Sequence, residues 1–543
     1  MKGRNADSSQ RGSIAWLIIG IILITLLIKS INLNLFISGK RVASHELTTE
    51  EKIDDFEYFI ELVSSSYPFV EAIEKEKGLD NFYDHEEYYR NSVTETKNNN
   101  EFIRLIGEMV QRLEQGTAHC DIMAPGGNTN KLDIITKCLC YNVSKKGYYL
   151  LDYWWGELDP DRKWAYSDLP VAYRDGYYIL TGNYRNENLE IPEGTTIEKV
   201  NGLAVDEYVK SLQHKVWLRF DTHKMKVYSH FSPFIVNDDI SEQAWNVTFR
   251  LPDSTLLNSD ITKIKGYSSP PGLVFPEENA TCVELDETTG YIRINSFTFH
   301  GARQADYAKI DSFMQGSEGK YGKLIIDLRG NSGGAPKYWE EIFIERLIKE
   351  PCEHIQYSMV KKEAFNKLNI YNRFVAFKYR KEIDYGRMEK IDFEDWPYEL
   401  PRYIEQEANY FLKNTKEYEP YNSFPFDGQI YILTDHDTFS AAEDFVKAAR
   451  EMDFATIVGA NTIGGAAVSF APWVFQLPNS HIMISMEIDM AFNEDGSVNE
   501  IYGTRPDHVL QPSTFPTSMP LAYDAESLMK DPWIEFIKNI KHE

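Results

Sequence analysis

Cysteine is scarce, with five residues in a chain of 543, and an odd count this low does not make a disulfide framework. Cys138 and Cys140 form one close pair, and no second pair among Cys120, Cys282 and Cys352 completes a zinc site. Cys120 follows His119 and so raises a thiol nucleophile, although free cysteines more often serve as small core residues. Positive charge is also short. There are 57 Lys and Arg against 83 Asp and Glu, a formal net charge of −26. Nucleic-acid binding needs a basic face, so that class of partner is excluded. No nucleotide loop, dinucleotide fingerprint or metal cluster stands out, so no cofactor and no metal are expected.

Long apolar runs are nearly absent. The exception is Ile14–Ile28 (IAWLIIGIILITLLI), apolar apart from Thr25, with Lys2, Arg4 and Arg11 before it and Lys29 after it. About 15–17 apolar residues fall short of the roughly 20 of a full span, but Ile31, Leu33, Leu35 and Phe36 can extend the run. No clean small-x-small cleavage site follows. The expectation is a cytoplasmic basic tail at 1–12, a transmembrane signal anchor at 13–30 and a linker at 31–45. The rest then faces out of the cytoplasm. Secretion after signal cleavage is the alternative.

What is plentiful is apolar and aromatic content, 43% and 13%, enough for two or three packed cores. From Glu46 the pattern is helical, with Phe56, Phe59, Ile60 and Val63, then Phe102, Leu105, Ile106, Met109, Val110 and Leu113 at helical spacing. This predicts an N-terminal helical subdomain over 46–120. Residues 121–268 alternate in the β manner. Within them Ile191–Leu212 (IPEGTTIEKVNGLAVDEYVKSL) reads as strand Ile197–Val200, an Asn201-Gly202 turn and helix Val205–Leu212. From Cys282 strands and helices alternate. Strands are expected at Gly290–Asn295, Lys323–Leu328, Gln429–Leu433, Thr456–Val458 and His481–Ile488, and helices at Ala302–Gln315, Lys337–Lys349 and Ala441–Glu451. That order implies an α/β core over 282–515 with a partly parallel sheet. Pro351–Phe426 is an aromatic-rich insertion (351–426) able to cover a site, and 516–543 reads as a C-terminal tail.

Two segments carry the chemistry. Lys323–Gly334 (KLIIDLRGNSGG) is a buried strand running into a glycine turn, and Thr438–Phe445 (TFSAAEDF) places a serine at a helix start. A glycine turn can aim backbone N–H groups at a developing oxyanion, and a helix N-terminus favours an anion. Each half has an ordinary reading. Ser440-Ala-Ala-Glu443 is also a capping box, and the glycine turn is also a plain strand-to-helix loop.

In order and spacing the two segments resemble the signatures of the tail-specific, or C-terminal processing, serine peptidase family. The resemblance spans roughly Glu46 to Leu510. It implies a crotonase-like peptidase core and makes Ser440 the nucleophile, with Gly333 or Gly334 and Ala441 as oxyanion donors. Ile191–Leu212 resembles a segment of PDZ-like domains, which implies a β-rich, PDZ-like domain that takes up peptide by strand addition. The Ser–Lys branch of the family places its base where this chain has Gly465, so that dyad is absent. Arg112–His119 (RLEQGTAH) and Glu500–Asp507 (EIYGTRPD) instead resemble the tricorn-core-like Ser-His-Glu branch, which implies His119 as base and Glu500 as its orienter. That branch has a serine where this chain has Ala118. His436, four residues before Ser440, and His300, after the Gly290–Asn295 strand, are rival bases. The function implied is a membrane-anchored, extracytoplasmic serine endopeptidase acting on peptide or protein substrates. The alternative is an inactive relative that binds peptides or apolar ligands.

Overall fold

In the computed structural model, residues 44–540 are described except for 116–118, 126–137, 139–142, 159–163, 187–188, 230–231, 235, 238–242, 266–277, 298–301, 317–318, 368–386, 422–425, 467–471 and 511–521. The Ile14–Ile28 segment, Ala118 and His300 lie outside the described residues. Among the described residues, no helix is long and apolar enough to cross a membrane.

The first layer is helical, as the spacing predicts: Thr49–Ser66, Val70–Lys77, Glu86–Glu95 and Asn99–Glu114. Thr48 and Glu51 form a capping box on the first of these. Asn99–Glu114 buries Phe102, Ile103, Ile106, Met109 and Leu113 along one stripe. Its last turn is held from several sides. Lys77 Nζ donates to Gln115 O at 2.5 Å and Tyr67 Oη donates to Leu113 O at 2.5 Å. Gln115 also reaches the middle region, donating to Val216 O at 2.7 Å and accepting from Leu218 N at 2.7 Å. The short strand Asp121–Ile122 then pairs antiparallel with Met483–Met486, Asp121 opposite Ser485. Residue 119 is thereby fixed next to residue 487.

The middle region is not wholly β. Lys145–Leu158 is a helix. Its Tyr- and Trp-rich sequence favours strand by propensity, but burial of Gly147, Leu150 and Trp154 at helical spacing against the core overrides that preference. A sheet follows in the order Leu256–Thr262, Ala244–Arg250, Thr196–Val200, Tyr177–Leu180, Val171–Arg174. The turn Asn201-Gly202 has φ of 50° and 82° and leads into the helix Val205–Ser211. A hairpin of Leu218–Asp221 and Lys226–Ser229 reaches toward the serine loop.

The core sheet runs Ala280–Asp286, Thr289–Ile294, Lys323–Asp327, Gln429–Thr434, Thr456–Gly459, His508–Val509. The first pair is antiparallel and all later pairs are parallel. Helix Ala302–Gln315 stands as expected. The helix expected over Lys337–Lys349 is interrupted by a wide π turn at Glu340–Ile344. The described residues of 351–426 form a second sheet: Arg387–Ile391, Asn409–Tyr418 and Cys352–Lys361, extended by Asp489–Ala491 of the core.

The last residues are no loose tail. Asp531 caps the helix Pro532–Asn539, whose Trp533, Ile534 and Ile537 are buried against the core sheet beside Tyr431 and Val458.

Candidate active site

Strand Gln429–Thr434 ends in a loop that delivers Ser440 to the N-terminus of helix Ala441–Glu451. Ser440 has φ 56° and ψ −126°. A non-glycine residue in that region is strained, and it persists because the surroundings hold it there. The loop is sewn to the glycine turn beside it. Phe439 N donates to Asn331 O at 3.0 Å, and Asp435 Oδ1 accepts from both Gly330 N and Asp437 N, at 2.9 and 3.0 Å. A Cβ on Gly333 would come within 2.7 Å of both Phe439 O and the Ser440 Cβ, so only glycine fits the approach.

The capping box is not formed. Ser440 makes no side-chain cap. Glu443 turns inward, and its Oε1 accepts from Asn499 Nδ2 at 2.5 Å and from Thr504 Oγ1 at 2.6 Å. Burial pushes the Glu443 carboxyl up to about 7. The serine hydroxyl is therefore available to a base. His119 Nε2 lies 3.1 Å from Ser440 Oγ, and His119 Nδ1 lies 3.0 Å from Glu487 Oε2. In the tautomer whose Nδ1–H donates to the carboxylate, Nε2 is an acceptor for the serine O–H. Burial works against a charged His119, but the charge and hydrogen bond of Glu487, reinforced by Asp121 and Asp489, raise it above its usual value.

The carboxylate on the imidazole is thus Glu487 rather than Glu500. Glu500 is buried and turned to the backbone, its oxygens accepting from Ala491 N at 3.0 and 3.2 Å. Burial, and then the charge of Glu487, raise its carboxyl well above the usual range. The Glu500–Asp507 segment supports the site from behind, through Thr504 on Glu443 and through Asp507 Oδ2, which accepts from Ile457 N at 2.8 Å. The sequence reading missed Glu487 because the strand expected over His481–Ile488 (HIMISMEI) runs through it. A lone glutamate among apolar residues, fully buried here, was the available signal.

The N–H groups expected to meet an oxyanion differ in their hydrogen bonds. Gly333 N donates to Asn331 Oδ1 at 2.9 Å and is occupied. Gly334 and Ala441 donate to no other described group, and Ala441 N opens the helix. The rival groups are held elsewhere. The His436 ring packs edge-on to Tyr228, centroids 6.4 Å apart. Lys447 pairs with Glu451, and Lys337 with Glu341. Burial pushes the Cys120 thiol well up, so it is a poor nucleophile.

Residues 288–510 match the profile of Peptidase family S41. Two crystal structures share the fold. That of mature CPAF superposes with a TM-score of 0.51 at 14% identity, covering 90% of this chain and 96% of that one. That of a CPAF mutant gives 0.52 at 14% identity, covering 91% and 99%. No curated protein matches the sequence.

Proposed function

We propose that this chain, a serine-type peptidase by its match to family S41, hydrolyses peptide bonds through a Ser440 acyl-enzyme with His119 as base and Glu487 as its orienter. The observation that carries the reading is the pair of contacts on one imidazole, 3.1 Å to Ser440 Oγ and 3.0 Å to Glu487 Oε2. His119 takes the serine proton as Oγ attacks the carbonyl carbon, and the imidazolium is stabilised by Glu487. The Gly334 and Ala441 N–H groups meet the oxyanion. His119 then protonates the leaving amine. A water deprotonated by the same imidazole releases the acyl group. The intact Ser–His–carboxylate geometry supports an active peptidase over an inactive binding protein.

Further parts of the reading rest on the sequence. The apolar run Ile14–Ile28 behind basic residues supports a signal anchor with the peptidase outside the cytoplasm. The strand–turn–helix at Thr196–Ser211 supports a PDZ-like substrate-binding domain beside a crotonase-like core. The histidine base supports the tricorn-core-like branch.

The test is labelling by a serine-directed fluorophosphonate together with a peptide-library digest. The native protein should label and cleave, and Ser440→Ala should do neither. Labelling and turnover retained by Ser440→Ala in a clean preparation remove Ser440 from the mechanism.

A further inference from the structure

The base packs against the ring of the residue that precedes the nucleophile. The His119 and Phe439 rings have centroids 4.8 Å apart at 32°. The Phe439 ring is confined on two further sides. Trp217 of the middle region meets it edge-on, centroids 6.0 Å apart at 70°. Gly465, at φ +85°, packs so close that a Cβ there would lie 2.4 Å from Phe439 Cε2. The Phe439 backbone is fixed at both ends, N donating to Asn331 O at 3.0 Å and O accepting from Ala442 N at 3.1 Å. Trp217 is itself braced, with the Arg219 guanidinium 4.1 Å over its ring and 2.6 Å from Asp437, two residues before Phe439.

We propose that Phe439 is the positioning residue of the base, its ring holding the His119 imidazole onto Ser440 and Glu487 and stabilising the imidazolium formed during acylation. This rests on the reading of His119 as base. An aromatic face attracts a cation set against it, the more so when water is excluded. The same packing explains Gly465. Any side chain there displaces Phe439, so a lysine at 465 and a ring-supported histidine at 119 exclude each other. The charged groups that also face His119 are Glu487, Asp489 and Asp121, with Glu500 behind Glu487. Phe439 is the neutral wall of this otherwise acidic enclosure.

The test is kcat and KM against pH for the native protein, Phe439→Leu, Phe439→Tyr, Gly465→Ala and His119→Ala. Phe439→Leu should lose about 10²-fold in kcat with KM little changed. Its acid limb should move down by about half a pH unit, because a face that favours the protonated imidazole has been removed. Phe439→Tyr keeps the face and should restore both. Gly465→Ala, whose added methyl meets Phe439 first, should lower kcat by crowding the ring, and it serves if Phe439→Leu fails to fold. Native kcat in both Phe439→Leu and Gly465→Ala, or a loss in Phe439→Leu with the limb unmoved, overturns the proposal. An active His119→Ala overturns the base assignment itself. An inactive one beside an unaffected Phe439→Leu overturns only the role of the ring.

Discussion

Glu487 lies 368 residues beyond His119 in sequence and 3.0 Å from its Nδ1 in space. The antiparallel pairing of Asp121–Ile122 with Met483–Met486 makes that contact, by laying the residues that flank each group side by side. Glu487→Gln keeps the shape and removes the charge. It should lower kcat/KM by about 10²–10⁴, whereas Glu500→Gln, which already resembles a neutral acid, should lower it far less. Steady-state kinetics of the two variants check this, and the reverse order returns the orienting role to Glu500.

The acid limb of kcat/KM should lie above about 6.5, the ordinary histidine value. Burial opposes protonation of His119, but Glu487, Asp121 and Asp489 together outweigh it. Activity should rise with pH as the imidazole becomes neutral and then level off. A pH–rate profile with its limb below 6 contradicts this electrostatic account.

Ser440→Ala should leave thermal stability within about 0.5 kcal/mol of the native protein. A lost N-cap would cost roughly 0.5–2 kcal/mol, but the hydroxyl caps nothing here, and alanine inherits the same backbone angles. Chemical denaturation of the inactive variant checks the sign and the size.

Glu443 predicts a pH dependence of stability. Its folded value, about 7, stands above the 4.5 usual for glutamate. The folded state therefore holds this proton more tightly than the unfolded chain. Its contribution is fully present below about 4.5 and is lost as pH rises through about 7. Glu443→Gln should match the native melting temperature more closely at pH 5 than at pH 8, where the variant gains relative to the native protein. An unchanged difference across that range refutes the linkage.

Asp531→Ala should destabilise by about 3 kcal/mol. Asp531 is 2.8 Å from Arg329 in a buried pair and also caps the final helix. Arg329 keeps Asp327 at 2.7 Å, which limits the loss. Denaturant titration measures it, and a change under 1 kcal/mol assigns the pair no structural weight.

The sequence made the parallel strands and the serine helix legible because their patterns are local. KLIID and QIYILT are apolar runs bounded by turns, and Ala441–Glu451 carries an amphipathic stripe. Ser440 and His119, which lie 3.1 Å apart, could be paired because motif context surrounds them. Glu487 could not, since its role comes from a pairing between strands hundreds of residues apart. The alternative reading of Ser440–Glu443 as a capping box fails for a related reason: Ser-x-x-Glu is satisfied locally in an isolated helix, but here Asn499 and Thr504 offer Glu443 buried partners. Lys145–Leu158 was misread because tertiary burial outweighs the strand preference of Tyr and Trp. Asp531-Pro-Trp-Ile-Glu-Phe-Ile did carry a helix signal, an aspartate cap with proline next, and it was passed over as a tail.

The contact from His119 to Ser440 joins residues 321 apart. A chain growing from its N-terminus carries the imidazole long before the serine exists, and the serine before the glutamate. A chain that stops short of residue 487 accordingly lacks part of the site. Only when Asp121 pairs with Ser485 do His119 and Glu487 come together, so the topology postpones assembly of the site until the fold is nearly finished.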